Sequence, residues 1–280
     1  MGTATLTRRR EYPTSWGAGS LGAALFALSL LLSPGAQGAP ESAEEIQRCL
    51  RDNLPRKSSV QTLVFRSTDR VDHVTESRAT LYWKLFDDGL SKVMMRFFQP
   101  LDLRGSGLLM IEREGRRPDT MLYIPAIRKV RRVSSRAASS SLFGTDFSYE
   151  DFERLMGMSA DAAVARAPDA EVAGSEVYVL EAKPPSNANS AYERVVTFVD
   201  KRTCIALKTE SYDPGGVLRK RLVVDRDQIT QENEIWVPRS QTIVDLRDQT
   251  QTELLIEKIE VEARIHRKMF SERELEAGAH

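Results

Sequence analysis

The sequence predicts a mainly β protein built on one strongly curved antiparallel sheet, or incomplete β-barrel, of about eleven strands, with an N-terminal helix and a helical plug or lid at its concave side. Three observations lead there. Apolar and polar residues alternate with a period of two in segment after segment between residues 59 and 265. The segments are joined by turn sequences such as Asp87-Asp88-Gly89 and Asp213-Pro214-Gly215-Gly216, which favour antiparallel neighbours. The resulting strands are more than a flat open sheet normally holds without curling.

The chain opens with a segment of a different kind. Arginines 8–10 precede an apolar run over residues 21–32, Pro34 and Gly35 break it, and Ala36-Gln37-Gly38 offers small residues to a peptidase. Basic, apolar and small-residue regions in that order are the pattern of a secretory signal, so residues 1–38 are expected to be cleaved after Gly38. The run is well short of the roughly 20 residues that cross a bilayer core as a helix. No cysteine lies at its end, so no lipid attachment is expected, and the mature chain is expected to work in the periplasm. Residues 39–280 are then a single domain of about 240 residues. The leader takes three arginines and one glutamate from 40 basic and 40 acidic residues, leaving a charge of about −2. So balanced a chain has no global pull toward nucleic acid. Its two cysteines, Cys49 and Cys204, could form one disulfide in an oxidising compartment or remain two buried thiols.

Residues 41–53 read as an amphipathic helix, with Ser42 as its cap and Ile46, Cys49, Leu50 and Leu54 at helical spacing. Ala79, Leu81, Trp83 and Leu85 then alternate with polar residues along a strand, and residues 91–98 return with Val93, Met95 and Phe97 on one face. Further strands are expected over residues 107–112, 121–124 and 128–133. Residues 134–157 break the pattern. A Ser/Ala-rich stretch leads into Leu142-Phe143-Gly144, and residues 146–156 read as a short helix capped by Ser148. Strands resume at 175–182, 192–199, 204–212, 217–225, 235–247 and 252–265, and residues 271–277 can form a last helix.

Familiar chemistry is missing. His73, His266 and His280 lie far apart, and there is no Gly-x-Ser-x-Gly, phosphate-binding glycine loop or Cys-x-x-Cys. No nucleophile–base pair is visible, so no catalytic residues are assigned and the protein is not expected to be an enzyme. Asp146, Glu150, Asp151 and Glu153 match no calcium loop and read as a charged helix start, so neither a metal nor a cofactor is expected. Arg128, Lys129, Arg131 and Arg132 read by default as a solvated edge strand. The sharper alternative is a basic rim at a cavity mouth, meeting a partner or an acidic headgroup.

Three stretches taken together carry a resemblance. They are Arg104-Gly105-Ser106-Gly107-Leu108-Leu109, Met121-Leu122-Tyr123-Ile124-Pro125-Ala126-Ile127-Arg128-Lys129-Val130-Arg131-Arg132, and Phe143-Gly144-Thr145-Asp146-Phe147-Ser148-Tyr149-Glu150-Asp151-Phe152. In this order and spacing the chain resembles the periplasmic outer-membrane lipoprotein-sorting-like proteins, a branch of the LolA/LolB-type superfamily. The resemblance implies an unclosed barrel with a helical lid over an apolar cavity, and a ligand such as the acyl chains of a lipid or lipoprotein. It also implies a partner such as an inner-membrane transporter of the resistance-nodulation-division (RND) or ABC type.

The residues agree with that physics. Trp83, Leu85, Met95, Phe97, Leu109, Ile111, Leu122 and Ile124 would offer one contiguous apolar surface for lipid, where each buried methylene gains about 0.8 kcal/mol. Alternation alone does not separate a cavity wall from a dry core. Phe143, Phe147, Tyr149 and Phe152 are expected to form a plug or lid that fills the cavity when empty and swings out for lipid. The expected function is a non-enzymatic carrier or chaperone, monomeric, moving an amphiphile from inner to outer membrane. An envelope sensor that binds a membrane transporter or signalling partner is the alternative.

Overall fold

The computed structural model describes residues 42–158, 163–185 and 188–277, and the expected leader lies outside them. Helix α1 (Ala43–Asp52) starts at a full capping box: Ser42 accepts from the Glu45 amide, and Glu45 accepts from the Ser42 amide. Six strands follow as consecutive hairpins: β1 (Ser58–Thr68), β2 (Val74–Leu85), β3 (Ser91–Gln99), β4 (Gly107–Arg113), β5 (Arg116–Ile124) and β6 (Lys129–Arg132). The chain then leaves the sheet for helix α2 (Tyr149–Leu155). It returns as β7 (Ala163–Val172), β8 (Ser175–Lys183), β9 (Arg194–Asp200), β10 (Ala206–Asp213) and β11 (Val217–Val224). A small ribbon, β12 (Ile229–Glu232) with β13 (Ile235–Pro238), precedes β14 (Ser240–Asp245), β15 (Thr250–Val261) and helix α3 (Glu272–Ala277).

Thirteen of these strands form one antiparallel sheet in the order β6-β5-β4-β3-β2-β1-β15-β14-β11-β10-β9-β8-β7. The last strand joins the two halves, because β15 pairs with β1 on one side and β14 on the other. The sheet is curved and not closed into a barrel. Glu153 and Asp151, two residues apart on α2, meet Arg117 of β5 and Lys220 of β11. Those strands stand seven places apart, about 33 Å in a flat sheet at the usual spacing, so the sheet must wrap around α2.

Several boundaries differ from the pattern-based expectation. Strand β5 begins five residues early because Pro118 does not interrupt it. The expected strand over 235–247 is two, β13 and β14, in separate sheets with Pro238 at the junction. Strand β7 was not anticipated. Its sequence, AVARAPDAEV, is low in β-formers and carries a proline and a register shift, features of a protected edge. The alternatives left open for Cys49 and Cys204 resolve as a disulfide that ties α1 to the turn before β10.

Candidate functional site: a plugged apolar interior

The inner face of β1–β4 presents Leu63, Phe65, Leu81, Trp83, Val93, Met95, Phe97, Leu108 and Met110, all buried. The segment around α2 fills the space they enclose. Phe147 and Phe152 are at most 1% exposed, and Leu142 and Tyr149 are buried beside them. Phe147 meets Phe65 edge-on at 6.3 Å between centroids, Phe143 lies 4.7 Å from Phe97, and Phe65 and Phe97 are 6.0 Å apart. These are separations at which aromatic pairs attract. All four expected plug residues therefore pack within or against one cluster on the inner face.

The eight expected wall residues are not one surface. Trp83, Met95, Phe97 and Leu122 face the plug. Leu109 and Ile111 lie on the other side of the sheet, in a cluster with Phe86, Met94, Met121, Tyr123, Phe270 and Leu275. The cause is register. Met95 pairs with Leu108 and Met94 with Leu109, so it is Leu108 and Met110 that continue the inner face. Leu85 and Ile124 sit at strand ends and are exposed.

The plug is attached by polar contacts to widely separated parts of the sheet. Lys220 donates from Nζ to Asp151 Oδ2 (2.9 Å) and to the Asp146 carbonyl (2.7 Å), and both side chains are about nine-tenths buried. Tyr192 donates to the second Asp151 oxygen at 2.9 Å, while Ser148 and Asp151 form a capping box. Thr252 and Thr250 donate to the Asp146 carboxylate, and Ser190 and the Ala191 amide donate to Glu150. Arg117 clamps Glu153 through two nitrogens at 2.7–2.9 Å. The four acidic residues read as a charged helix start are thus each tied to partners elsewhere in the fold. Burial raises the Glu153 carboxyl above its ordinary value despite the opposing pull of Arg117. Burial, followed by Asp151, raises the Tyr192 hydroxyl, and burial pushes Tyr149 up to about 12.

Beside the Glu153 latch lies a charged groove of about 600 Å³, lined by Arg116, Arg117, Asp119, Arg132, Glu153 and Pro185 among others. Asp119 receives Arg113 at 2.7 Å, Arg116 at 3.2 Å and Arg132 at 3.0 Å. Burial pushes its carboxyl up, but these guanidiniums together hold it below the usual carboxylate value. Of the expected basic rim only Arg132 reaches the groove. Arg128, Lys129 and Arg131 are exposed on the edge of the sheet. Sequence reasoning passed over Arg113, Arg116 and Arg117, although the dense run Arg113-Glu-Gly-Arg-Arg117 before a strand was a usable signal. It could not have supplied Lys220, Thr250 or Tyr192, which come from distant strands and loops.

A family model described as "uncharacterized protein" matches residues 89–277. No curated protein matches the chain. Among solved structures, an outer membrane lipoprotein-sorting protein domain from Vibrio parahaemolyticus is 24% identical with a TM-score of 0.74, covering 83% of this chain and 97% of that one. A DUF1329 family protein from Desulfovibrio piger is 22% identical with a TM-score of 0.77, covering 82% and 96%. A LolA superfamily protein from Nitrosomonas europaea is 16% identical with a TM-score of 0.66, covering 84% and 100%. The chain belongs to the family of that model, and its fold is the half-barrel of the LolA superfamily and of outer membrane lipoprotein-sorting domains.

Proposed function

We propose that the protein is a non-enzymatic periplasmic carrier or chaperone that takes the acyl chains of a lipid or lipoprotein into the interior now held by the plug. Residues 1–38 would be its cleaved leader, and its cargo would pass from an inner-membrane transporter of the RND or ABC type toward the outer membrane. One observation carries this reading: the apolar inner face is covered by a segment outside the sheet, held by ion pairs and hydrogen bonds that water can replace on opening. An acyl chain can take the place of Phe147 and Phe152 at about 0.8 kcal/mol per buried methylene, which offsets part of the loss of their packing. Met95 and Met110 give the wall adaptable surface for chains of varied shape. The Trp83 indole N–H, buried there without an acceptor among the described residues, matches the ester carbonyl of a lipid. Fold likeness to a lipoprotein-sorting domain supports the same cargo class.

Native mass spectrometry of the protein purified from its own compartment tests this. Bound lipid is expected, with retention and release rates altered in Phe147→Ala and Phe152→Ala. A lipid-free protein in stable complex with a single-span membrane partner would favour the envelope sensor instead. Unchanged rates in both variants would contradict the plug.

A further inference from the structure

The large apolar side chains that remain exposed are not scattered. Ten are exposed among the described residues. The pairing registers place Val71, Val74, Phe98, Leu101, Ile124, Ile127, Val217 and Leu246 at one end of the sheet. They lie in the turns β1–β2, β3–β4, β5–β6, β10–β11 and β14–β15 or at the strand ends beside them. In the sheet order these turns follow one another along a single rim. Only Leu85 and Val223 lie toward the other end. At the tips exposure is extreme: Leu101 78%, Val71 76% and Val217 65%. A monomer gains nothing by leaving eight apolar residues aligned along one end while the opposite end exposes only two.

The rim is net basic once paired groups are set aside, with Asp72 and Asp102 the exposed acids left beside Arg70, Arg104, Arg128 and Lys129. Asp69 accepts from the amides of Val71 and His73 within its turn. Asp213 and Asp248 are paired with Arg219 and Arg247. Arg70, Arg128 and Lys129 have no such partner among the described residues, and Arg131 extends the basic run along β6. A net basic rim with protruding apolar tips complements an anionic headgroup layer over hydrocarbon. The plug corner sits near the same end: Asp146 holds Thr250 and Thr252 at the start of β15, and Phe143 packs on Phe97 two residues before the end of β3.

We infer that this rim is a membrane-docking edge, which seats its apolar tips in the interfacial region of an anionic bilayer and presents the plugged interior to it. The contact proposed is peripheral, and no helix among the described residues is long and apolar enough to cross a membrane. The inference does not depend on lipid being carried, because intact vesicles probe the rim and not the interior.

The test is cosedimentation of the purified protein with vesicles of phosphatidylglycerol and phosphatidylethanolamine, against vesicles of phosphatidylcholine alone. Binding to the anionic vesicles is expected, falling at least about tenfold in the triple variant Val71→Asp/Leu101→Asp/Val217→Asp. Val223→Asp should bind as the parent does. Melting temperatures establish that the exposed substitutions leave the fold intact. Absence of binding by the parent, or equal binding by the triple variant, would overturn the inference. So would a concentration-dependent dimer lost in the triple variant without any vesicle binding, which would assign the rim to a second copy of the chain.

Discussion

Two segments cover the first strands of the sheet from opposite sides, and they are held there by different means. On the outer face, the chain after β15 lays down Ile265, Met269, Phe270 and Leu275 over Met94, Leu109, Met121 and Tyr123. Phe270 meets Phe86 edge-on at 5.6 Å. Its ion pairs, Arg267 with Asp87 and Arg96 with Glu274, each leave at least one partner exposed, and exposed pairs contribute little. On the inner face the plug also packs aromatic rings, but four of its carboxylates are tied to partners drawn from four places elsewhere in the chain. Two of those ties, Lys220–Asp151 and Arg117–Glu153, are largely buried ion pairs. Desolvation takes back much of what a buried pair gains, so apolar residues would have fastened the plug at least as well. A cover meant to stay is greasy. One fastened by buried charges specifies a seat and can trade its bonds for water when it leaves.

Breaking one tie should expose that difference most strongly. Lys220→Met strands Asp151 in the interior, and a loss of about 3–5 kcal/mol is expected in denaturant unfolding, with faster hydrogen exchange across residues 142–155. Arg267→Met, its counterpart on the outer cover, should change stability by no more than about 0.5 kcal/mol. Equal effects would mean that the two covers are fastened alike.

A glycine tests the outer cover on its own. A Cβ added at Gly107 would stand 2.9 Å from Leu275 Cδ1 and 2.9 Å from the Met95 carbonyl. Gly107→Ala should therefore cost about 1–3 kcal/mol and free residues 266–277 while the plug keeps its protection. Ser148→Ala is the matched small change on the plug. It removes half of a capping box and should cost about 1 kcal/mol, confined in hydrogen exchange to α2.

The smallest expected effect is with pH. The Glu153 carboxyl is raised in the folded protein, so the folded chain holds this proton more tightly than the unfolded one. That contribution is complete below the ordinary value of 4.5 and is lost as pH rises through the raised one. Asp119 and Asp245 are lowered, so their contribution is present above 3.8 and is lost as pH falls through their folded values. Intrinsic-rate-corrected exchange in α2 should quicken as pH rises just above the glutamate range, and Glu153→Gln should flatten that rise. An unchanged profile in Glu153→Gln would mean that the buried Glu153 carboxyl does not set the pH response of α2.

How much of this could be read beforehand follows the range of the interactions. Local signals served well. Ser42 and Ser148 cap the helices expected of them, Asp87-Asp88-Gly89 turns β2 into β3, and the Ser/Ala-rich interruption marks where the chain leaves the sheet. Where one strand's face depends on its neighbour's register, the reading failed. Leu109 and Ile111 alternate as well as Leu108 and Met110 do, and only pairing with β3 decides which pair looks inward. The latches were out of reach altogether, since Asp151 and Lys220 are 69 residues apart and Asp146 and Thr252 are 106 apart. Strand β7 escaped because an edge strand with proline has no alternation to show.

The central claim is that the inner cover yields to acyl chains and the outer one does not. Hydrogen exchange of the purified protein with and without a lysophospholipid, compared between residues 142–155 and residues 266–277, tests it most directly. Protection should fall in the first segment and stay unchanged in the second. No change in either segment, or an equal loss in both, would contradict the account.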